Sequence, residues 1–402
     1  MKKILIANRG EIAVRICRAA TDAGLATVAL YSTDDVDGLH VRLADEVISL
    51  QAAGPRAYLD IDTVIAAAQT TKADAIHPGY GFLSENADFA AAVEAAGITF
   101  VGPKSETLRV FGDKLQARDV ATECGIPVLA GSSPNTTLGQ ATDFLQSVAG
   151  TGGMLIKAVA GGGGRGMRHV TTPEELEQAW PIASAEATAA FGNGQLYVEE
   201  YLPSARHIEV QILGDGTGDV IHAGERECTL QRQYQKLVEI APSPGLSPAM
   251  RDSLTTAAVT LGRKVNYRGL GTVEFLVSNV AERFVFIEVN PRLQVEHTVT
   301  EEVHGVDLVD LQLQIAAGRS LLDLDVTSAA ADSVHGFAIQ VRLNTETMNE
   351  HGQAKPASGT LRTFEPPSGP GIRTDTHGYV GYTTAPAFDS LLAKLVVRSS
   401  SR

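Results

Sequence analysis

The sequence predicts an α/β domain built on a parallel sheet, then an α+β domain, then a mixed β-rich segment. Two observations carry this. Short apolar runs alternate with helical patterns through the first part of the chain, the βαβ signature of a parallel sheet. Further along, β-rich runs follow one another with few helices between them, which calls for hairpin-linked strands. A length of 402 residues suits two to three domains of ordinary size, and typical domain dimensions place them at 1–112, 113–330 and 331–402.

Residues 4–7 and 27–31 are apolar β-type runs, with an apolar-periodic helix from Ile12 to Ala23 between them and Gly24 as its stop. A third run at 73–77 is stopped by Pro78 and Gly79, and after a helical stretch from Glu85 to Ala96 a fourth spans 98–101. Four parallel strands result, with their ligand edge at the strand C-termini. Lys114 to Cys124 reads as a helix and Ser132 to Thr137 as a loop. The middle then alternates strands at 154–159, 196–200, 207–213, 219–223, 272–277 and 283–289 with helices near 173–190 and 248–265. In the final segment, strands are expected at 335–343 and 359–364, with Pro- and Gly-rich connections at 366–371.

Hydrophobic residues at 44% and charged residues at 20% describe an ordinary packed protein. The net charge of -14 excludes a duplex-coating nucleic-acid binder, which needs a basic face. Any anionic ligand must be held by local cations. Cys17, Cys124 and Cys228 have neither disulfide-framework nor zinc spacing, so the cytoplasm is the expected compartment. The apolar run after Met1 is cut at once by Asn8 to Glu11, against a secretory leader, and no stretch is apolar for long enough to span a membrane.

Glycine reaches 39 residues, five of them in the run Gly161 to Gly166, directly after the strand that carries Lys157. The run matches GxGxxG, but Met167 to Val170 is another β-type run rather than a helix, so a dinucleotide fingerprint is rejected. Met167 also stands where a Walker A loop needs Lys. Two readings remain: a glycine-rich flap over a nucleoside triphosphate, or a plain surface hairpin. In GTVEFLV (271–277) and FVFIEVNP (284–291), apolar strands each carry a Glu. Glu288 and Asn290 share a face and Glu274 lies on a neighbouring strand, an oxygen set of the kind Mg2+ takes. The bland alternative is a charged face on an edge strand. Arg292, Glu296 and their neighbours follow at once, suiting either a small anion with a base beside it or a loop salt bridge. The polar stretch from Glu225 to Lys236 reads equally as a solvated face.

Together these motifs resemble biotin carboxylase, of the ATP-grasp superfamily. The residues are ILIANRGEIAVR (4–15), HPGYGFLSEN (77–86), GDK (112–114), the glycine run, Gln235 with Lys236, and EVNPRLQVEH (288–297). The resemblance runs through essentially the whole chain. It implies a pre-ATP-grasp N-terminal domain, a central ATP-grasp domain with a glycine-rich lid, and a C-terminal domain closing the site. It further implies ATP contacts at Lys114, Lys157, Gly163, Gly164, Met167, Glu199, Leu202, His207 and Gln231, and Mg2+ or Mn2+ ligands at Glu274, Glu288 and Asn290. The implied bicarbonate site is Lys236, Arg292, Gln294 and Val295, with Glu296 as general base and Arg342 facing the biotin ureido oxygen. The implied reaction is ATP-driven carboxylation of biotin through carboxyphosphate, the first half-reaction of an acyl-CoA carboxylase.

Three positions depart from the family pattern. Tyr234 replaces a His or Asn before Gln235, Ala160 replaces a glycine at the entrance to the lid, and the C-terminal domain is expected to be incomplete at Arg402. No Met-Lys-Met occurs, so biotin is expected on a separate carrier domain that works with a carboxyltransferase. The resemblance also offers a homodimer, without nucleic acid or membrane. The segments at 344–371 and 382–386 look most like the carboxylase end of large acyl-CoA carboxylases, including single-chain ones. Two competing readings are a different ATP-grasp ligase and a nucleotide-binding module without turnover.

Overall fold

The computed structural model describes residues 1–150, 152–160, 167–233, 235–278, 283–326, 334–350 and 352–401. The N-terminal unit runs β1 (Lys3–Ile6), α1 (Gly10–Asp22), β2 (Ala26–Tyr31), α2 (Leu39–Leu43), β3 (Glu46–Ser49), α3 (Ile61–Thr71), β4 (Ala75–His77), α4 (Ala87–Ala95) and β5 (Thr99–Phe100). Its sheet is parallel in the order β3-β2-β1-β4-β5. Helices cover both faces of the central strands, which is why β1 and β2 read as continuous apolar runs. Asp60 and Asn86 cap α3 and α4 by accepting from the backbone N–H groups of Thr63 and Phe89. Five strands stand where four were expected. β3, on the edge, is half exposed and carries only two apolar residues, too few to mark it in the sequence.

The crevice at the C-termini of β1 and β4, where doubly wound sheets take ligands, is filled by protein. Asn8 Nδ2 donates to the carbonyls of Pro78 at 2.6 Å and Tyr80 at 2.8 Å. Arg9 pairs with Asp35 at 2.6 Å, donates to the Tyr382 hydroxyl at 3.2 Å, and lies 4.0 Å over the Phe388 ring. The chain's last segment therefore plugs the ligand edge of its first unit.

Next come α5 (Ser105–Gly112) and α6 (Lys114–Glu123), then a small lobe of α7 (Leu138–Ser147), β6 (Met154–Ala158), β7 (Arg168–Val170), α8 (Pro173–Phe191) and β8 (Leu196–Glu200). The lobe has its own three-stranded sheet, β7-β6-β8, and its own core of Leu145, Met154, Ile156, Leu176 and Val198. A capping box between Thr172 and Glu175 starts α8, and Gly192 at φ 71° ends it.

The remaining elements are β9 (Arg206–Asp215), β10 (Val220–Arg232), β11 (Gln235–Ala241), α9 (Pro248–Lys264), β12 (Arg268–Ser278), β13 (Arg283–Asn290), α10 (His297–His304), α11 (Leu308–Ala316), β14 (Phe337–Asn344), β15 (Glu346–Met348), β16 (Ala354–Pro356), β17 (Ile372–Thr376) and β18 (Leu391–Ser399). Eight of these strands form one sheet in the order β13-β12-β9-β10-β11-β14-β18-β17. β11 pairs with β14 through Ile240 and Ile339, so the last segment extends the central sheet. No strand covers 359–364: Thr360 makes only an isolated bridge to Thr383, and the expected strand is corrected to a connection.

Candidate active site

Antiparallel register places Arg226, Glu209, Glu274 and Glu288 in one row across β10, β9, β12 and β13. Side chains of directly opposed residues share a face, so three carboxylates stand side by side, about 5 Å apart. Such a row requires cations. Arg226, at 0% exposure, pairs with Glu209 at 2.5 Å and donates to Gln211 at 2.8 Å, Thr300 at 2.9 Å and Thr272 at 3.1 Å. Lys236 Nζ lies 2.5 Å from Glu209, 2.8 Å from Glu274 and 2.7 Å from Glu296.

Glu296 sits at the N-cap of α10 with 0% exposure. Arg342, from β14, reaches it at 3.1 Å and holds Glu239 of β11 at 2.6 Å. Burial opposes ionisation of Glu296, but Lys236, Arg342 and Arg226 outweigh it and hold the carboxyl well below the ordinary range. Arg292 donates to Glu85 at 2.8 Å, Asn290 Oδ1 at 3.1 Å and Gln294 Oε1 at 3.2 Å. The backbone behind this loop is tied down as well: the carbonyl of Val295 accepts from buried Lys394 at 3.1 Å.

Glu288 is in the opposite situation. Burial and the neighbouring Glu274 charge push its carboxyl up, only partly opposed by Lys114 and Lys236. Asn290 lies one pleat on, its Nδ2 donating to Glu274 at 2.8 Å. A cavity of about 150 Å³ opens here, lined by Glu85, Lys114, Glu288 and Asn290. Two carboxylates and an amide, one carboxylate short of positive charge, form an oxygen set that fits Mg2+ or Mn2+.

At the other end of the cleft, Lys157 on β6 and Arg118 on α6 both donate to Glu199 on β8. Leu202 packs with Leu129 and Val285 in an apolar cluster. His207 lies 2.8 Å from Glu274, and Gln231 Nε2 is 3.1 Å from His207 Nδ1. Met167 is half buried immediately before β7. Gly163, Gly164 and Tyr234 lie outside the described residues.

The structure thus joins Lys236, Glu274, Asn290, Arg292, Gln294, Glu296 and Arg342 in one chain of contacts, with Lys157 and Glu199 as a second group on the small lobe. Glu225, Arg226, Glu227 and Cys228 are buried, so the solvated-face alternative falls for 225–228, whereas Thr229, Leu230, Gln233 and Gln235 are exposed. Glu274, on the interior strand β12, is buried, so the bland reading of a charged edge face fails for it, while Glu288 on the edge strand β13 is half-buried. Sequence reading passes over Glu209, Glu239, Arg226 and Arg118. The first two carried the signal already used for Glu274, a lone carboxylate in an apolar strand.

Comparison with known proteins agrees with this geometry. Residues 1–108 match the family described as "Biotin carboxylase, N-terminal domain", 113–324 match "Carbamoyl-phosphate synthase L chain, ATP binding domain", and 340–402 match "Biotin carboxylase C-terminal domain". The chain is 46% identical over 403 residues to the biotin carboxylase of a Nostoc species, covering 100% of this chain and 88% of that protein. It is 48% identical over 402 residues to pyruvate carboxylase of Bacillus subtilis, covering 98% of this chain but only 34% of that protein. The chain therefore spans about a third of the length of the pyruvate carboxylases it matches. Among solved structures, the biotin carboxylase domain dimer of Hydrogenobacter thermophilus 2-oxoglutarate carboxylase, in complex with MgADP, ADP and bicarbonate, superposes with a TM-score of 0.92 at 40% identity. It covers 100% of this chain and 86% of that one. With all three units matched in order and most of a stand-alone relative covered, the chain belongs to the biotin carboxylase family.

Proposed function

We propose that this chain carboxylates biotin at N1′ with ATP and bicarbonate, using Glu296 as general base. The observation that supports it most is Glu296 itself, fully buried, ionised, and wedged between Lys236 and Arg342. In this reading, bicarbonate draws Lys236 and Arg292 toward its own charge, and the biotin ureido oxygen draws Arg342. Each cation that leaves Glu296 raises the basicity of its carboxylate, so substrate binding itself turns a weak base into a useful one. Glu296 takes the bicarbonate proton, and the bicarbonate oxygen attacks the γ-phosphorus while the bond to ADP breaks. The resulting carboxyphosphate gives CO2 and phosphate. Phosphate removes the N1′ proton, Arg342 stabilises the negative charge on the ureido oxygen, and N1′ attacks CO2.

Glu274, Glu288 and Asn290 are the residues to hold Mg2+ or Mn2+, which when bound supplies charge neutralisation for the phosphates. Lys114, Lys157 and His207 line the same route, with Leu202 offering an apolar surface to the base; Met167, Gln231, Gln294 and Val295 complete the assigned contacts. The partners proposed are a biotin carrier domain and a carboxyltransferase, with a homodimer as the working assembly. The cytoplasm is the proposed compartment: no described helix is long and apolar enough to cross a membrane, and the three cysteines are free. The carboxyl acceptor is a separate matter. The C-terminal motifs favour an acyl-CoA, whereas the relatives' identities equally favour pyruvate.

The test is phosphate release from MgATP with bicarbonate and free biotin. Glu296→Gln is expected to lower the bicarbonate-dependent rate by roughly 10²- to 10⁴-fold. An unchanged rate would overturn the base assignment, and cleavage indifferent to bicarbonate would overturn the reaction.

A further inference from the structure

We infer that Arg118 is a positioning residue for ATP, acting as a replacement counter-ion that lets Lys157 leave Glu199 for the triphosphate. The inference rests on the ATP reading above and adds to it. Glu199 is buried on β8, and its two oxygens are used separately: Arg118 Nη1 donates to Oε1 and Lys157 Nζ to Oε2. Lys157 stands two residues beyond Leu155, the register partner of Glu199, and so reaches its oxygen diagonally across β6 and β8.

Arg118 comes from outside the lobe. It belongs to α6, whose first residue, Lys114, lines the cavity beside Glu288. Its second nitrogen, Nη2, donates to the Leu129 carbonyl at 2.7 Å, which fixes the guanidinium independently of Lys157. Close packing preserves the arrangement. A Cβ at Gly131 would lie 3.1 Å from the Val198 carbonyl oxygen, 3.2 Å from Glu199 Cγ and 3.5 Å from Arg118 Nη2, so the segment bridged to Glu199 runs tight against this pair.

A buried carboxylate stripped of its only cation is strongly destabilised. Were Lys157 the sole partner of Glu199, moving to a phosphate would leave that penalty behind, and part of the phosphate attraction would be lost. With Arg118 anchored on the other oxygen, Glu199 stays neutralised throughout. Lys157 transfers its charge at little cost.

The experiment compares wild type, Arg118→Met, Arg118→Lys and the double variant Arg118→Met/Glu199→Gln in the full chain. Calorimetry reads the Kd of MgADP and of adenosine, and phosphate release reads KM for ATP against kcat. Arg118→Met is expected to weaken MgADP and raise KM for ATP about tenfold, with adenosine affinity changed less than about twofold, the scale of one charge-assisted contact. Arg118→Lys should stay near wild type. Glu199 is itself an implied ATP contact, so the double variant is read by the ratio of MgADP to adenosine affinity, which should return toward that of wild type because Lys157 is no longer held. Equal weakening of adenosine and MgADP, a double variant whose ratio of MgADP to adenosine affinity is no better than the single's, or an unaffected Arg118→Met would each overturn the inference. Wild type that fails to bind MgADP at all would instead overturn the ATP reading, and this inference with it.

Discussion

A carboxylate with no water contact stays ionised only where cations replace its lost hydration, and Glu296 has two at contact distance. Glu288 shows the converse, its carboxyl raised because burial and Glu274 outweigh Lys114 and Lys236. That asymmetry leads to a prediction at this scale. Glu288→Gln should raise the magnesium concentration for half-maximal ATP cleavage by about tenfold or more, and a titration with excess ATP measures it. An unchanged magnesium requirement would remove Glu288 from the metal set. Glu274 and Glu288 were legible because each breaks an otherwise apolar strand. Arg226 was not, since its neighbours Glu225 and Glu227 are themselves charged and the stretch reads as polar throughout.

The strand is the element that turns such residues into a site. Register alone brings Arg226, Glu209, Glu274 and Glu288 into line, although Glu209 and Glu288 are 79 positions apart in the sequence. β10 is the support of that row. Arg226→Met leaves Glu209 with Lys236 alone and should cost about 3–5 kcal/mol of stability, the range for breaking a buried ion pair. The midpoint of urea unfolding measures it, and Arg226→Met/Glu209→Gln should recover part of the loss. Equal stabilities for the two variants would mean that Arg226 acts through packing. Long strands were mostly visible as apolar runs, but their ends were not. β10 extends to Arg232, well past the apolar stretch at 219–223, because its polar half is sustained by pairing with β11 and β9 rather than by its own pattern.

Across the whole molecule, the three sequence-level units share packing more than they divide it. Ile4, Ile12 and Ile16 of the first unit are in one core with Leu213, Leu270 and Leu313 of the second. A buried ionic network runs through all three: Arg15 bonds Glu301 at 3.0 Å, Arg373 bonds Glu301 at 2.7 Å, and Lys394 lies 3.1 Å from Glu11. The same joints bury histidines in neutral form. Burial lowers His40 from 6.5 to about 4, and His77 and His377 from 6.5 to about 3. Because these folded values lie below the unfolded one, the unfolded chain binds more protons below pH 6.5. Stability from these residues is therefore present above that pH and is lost as pH falls toward 4 and 3, with a slope of up to about 1.4 kcal/mol per pH unit for each histidine. Unfolding midpoints measured at a series of pH values check this, and His377→Gln should flatten the slope between pH 6 and 4, to within the about 1.4 kcal/mol per unit of one proton. An identical slope in the variant would show that His377 already titrates normally.

The amino-acid sequence by itself determined the parallel-sheet unit, the succession of hairpin-linked strands in the middle of the chain and the carboxylates of the acidic pair, because each is written in local periodicity or in a polar residue misplaced in an apolar run. Only the tertiary structure decided which charges neutralise one another. Lys236 meets Glu209, Glu274 and Glu296 from three different elements, and Arg342 spans Glu239 and Glu296 from a strand that joins the sheet from the chain's last segment. Coulomb energy depends on distance in space and on burial, and neither is recorded in the spacing along the chain.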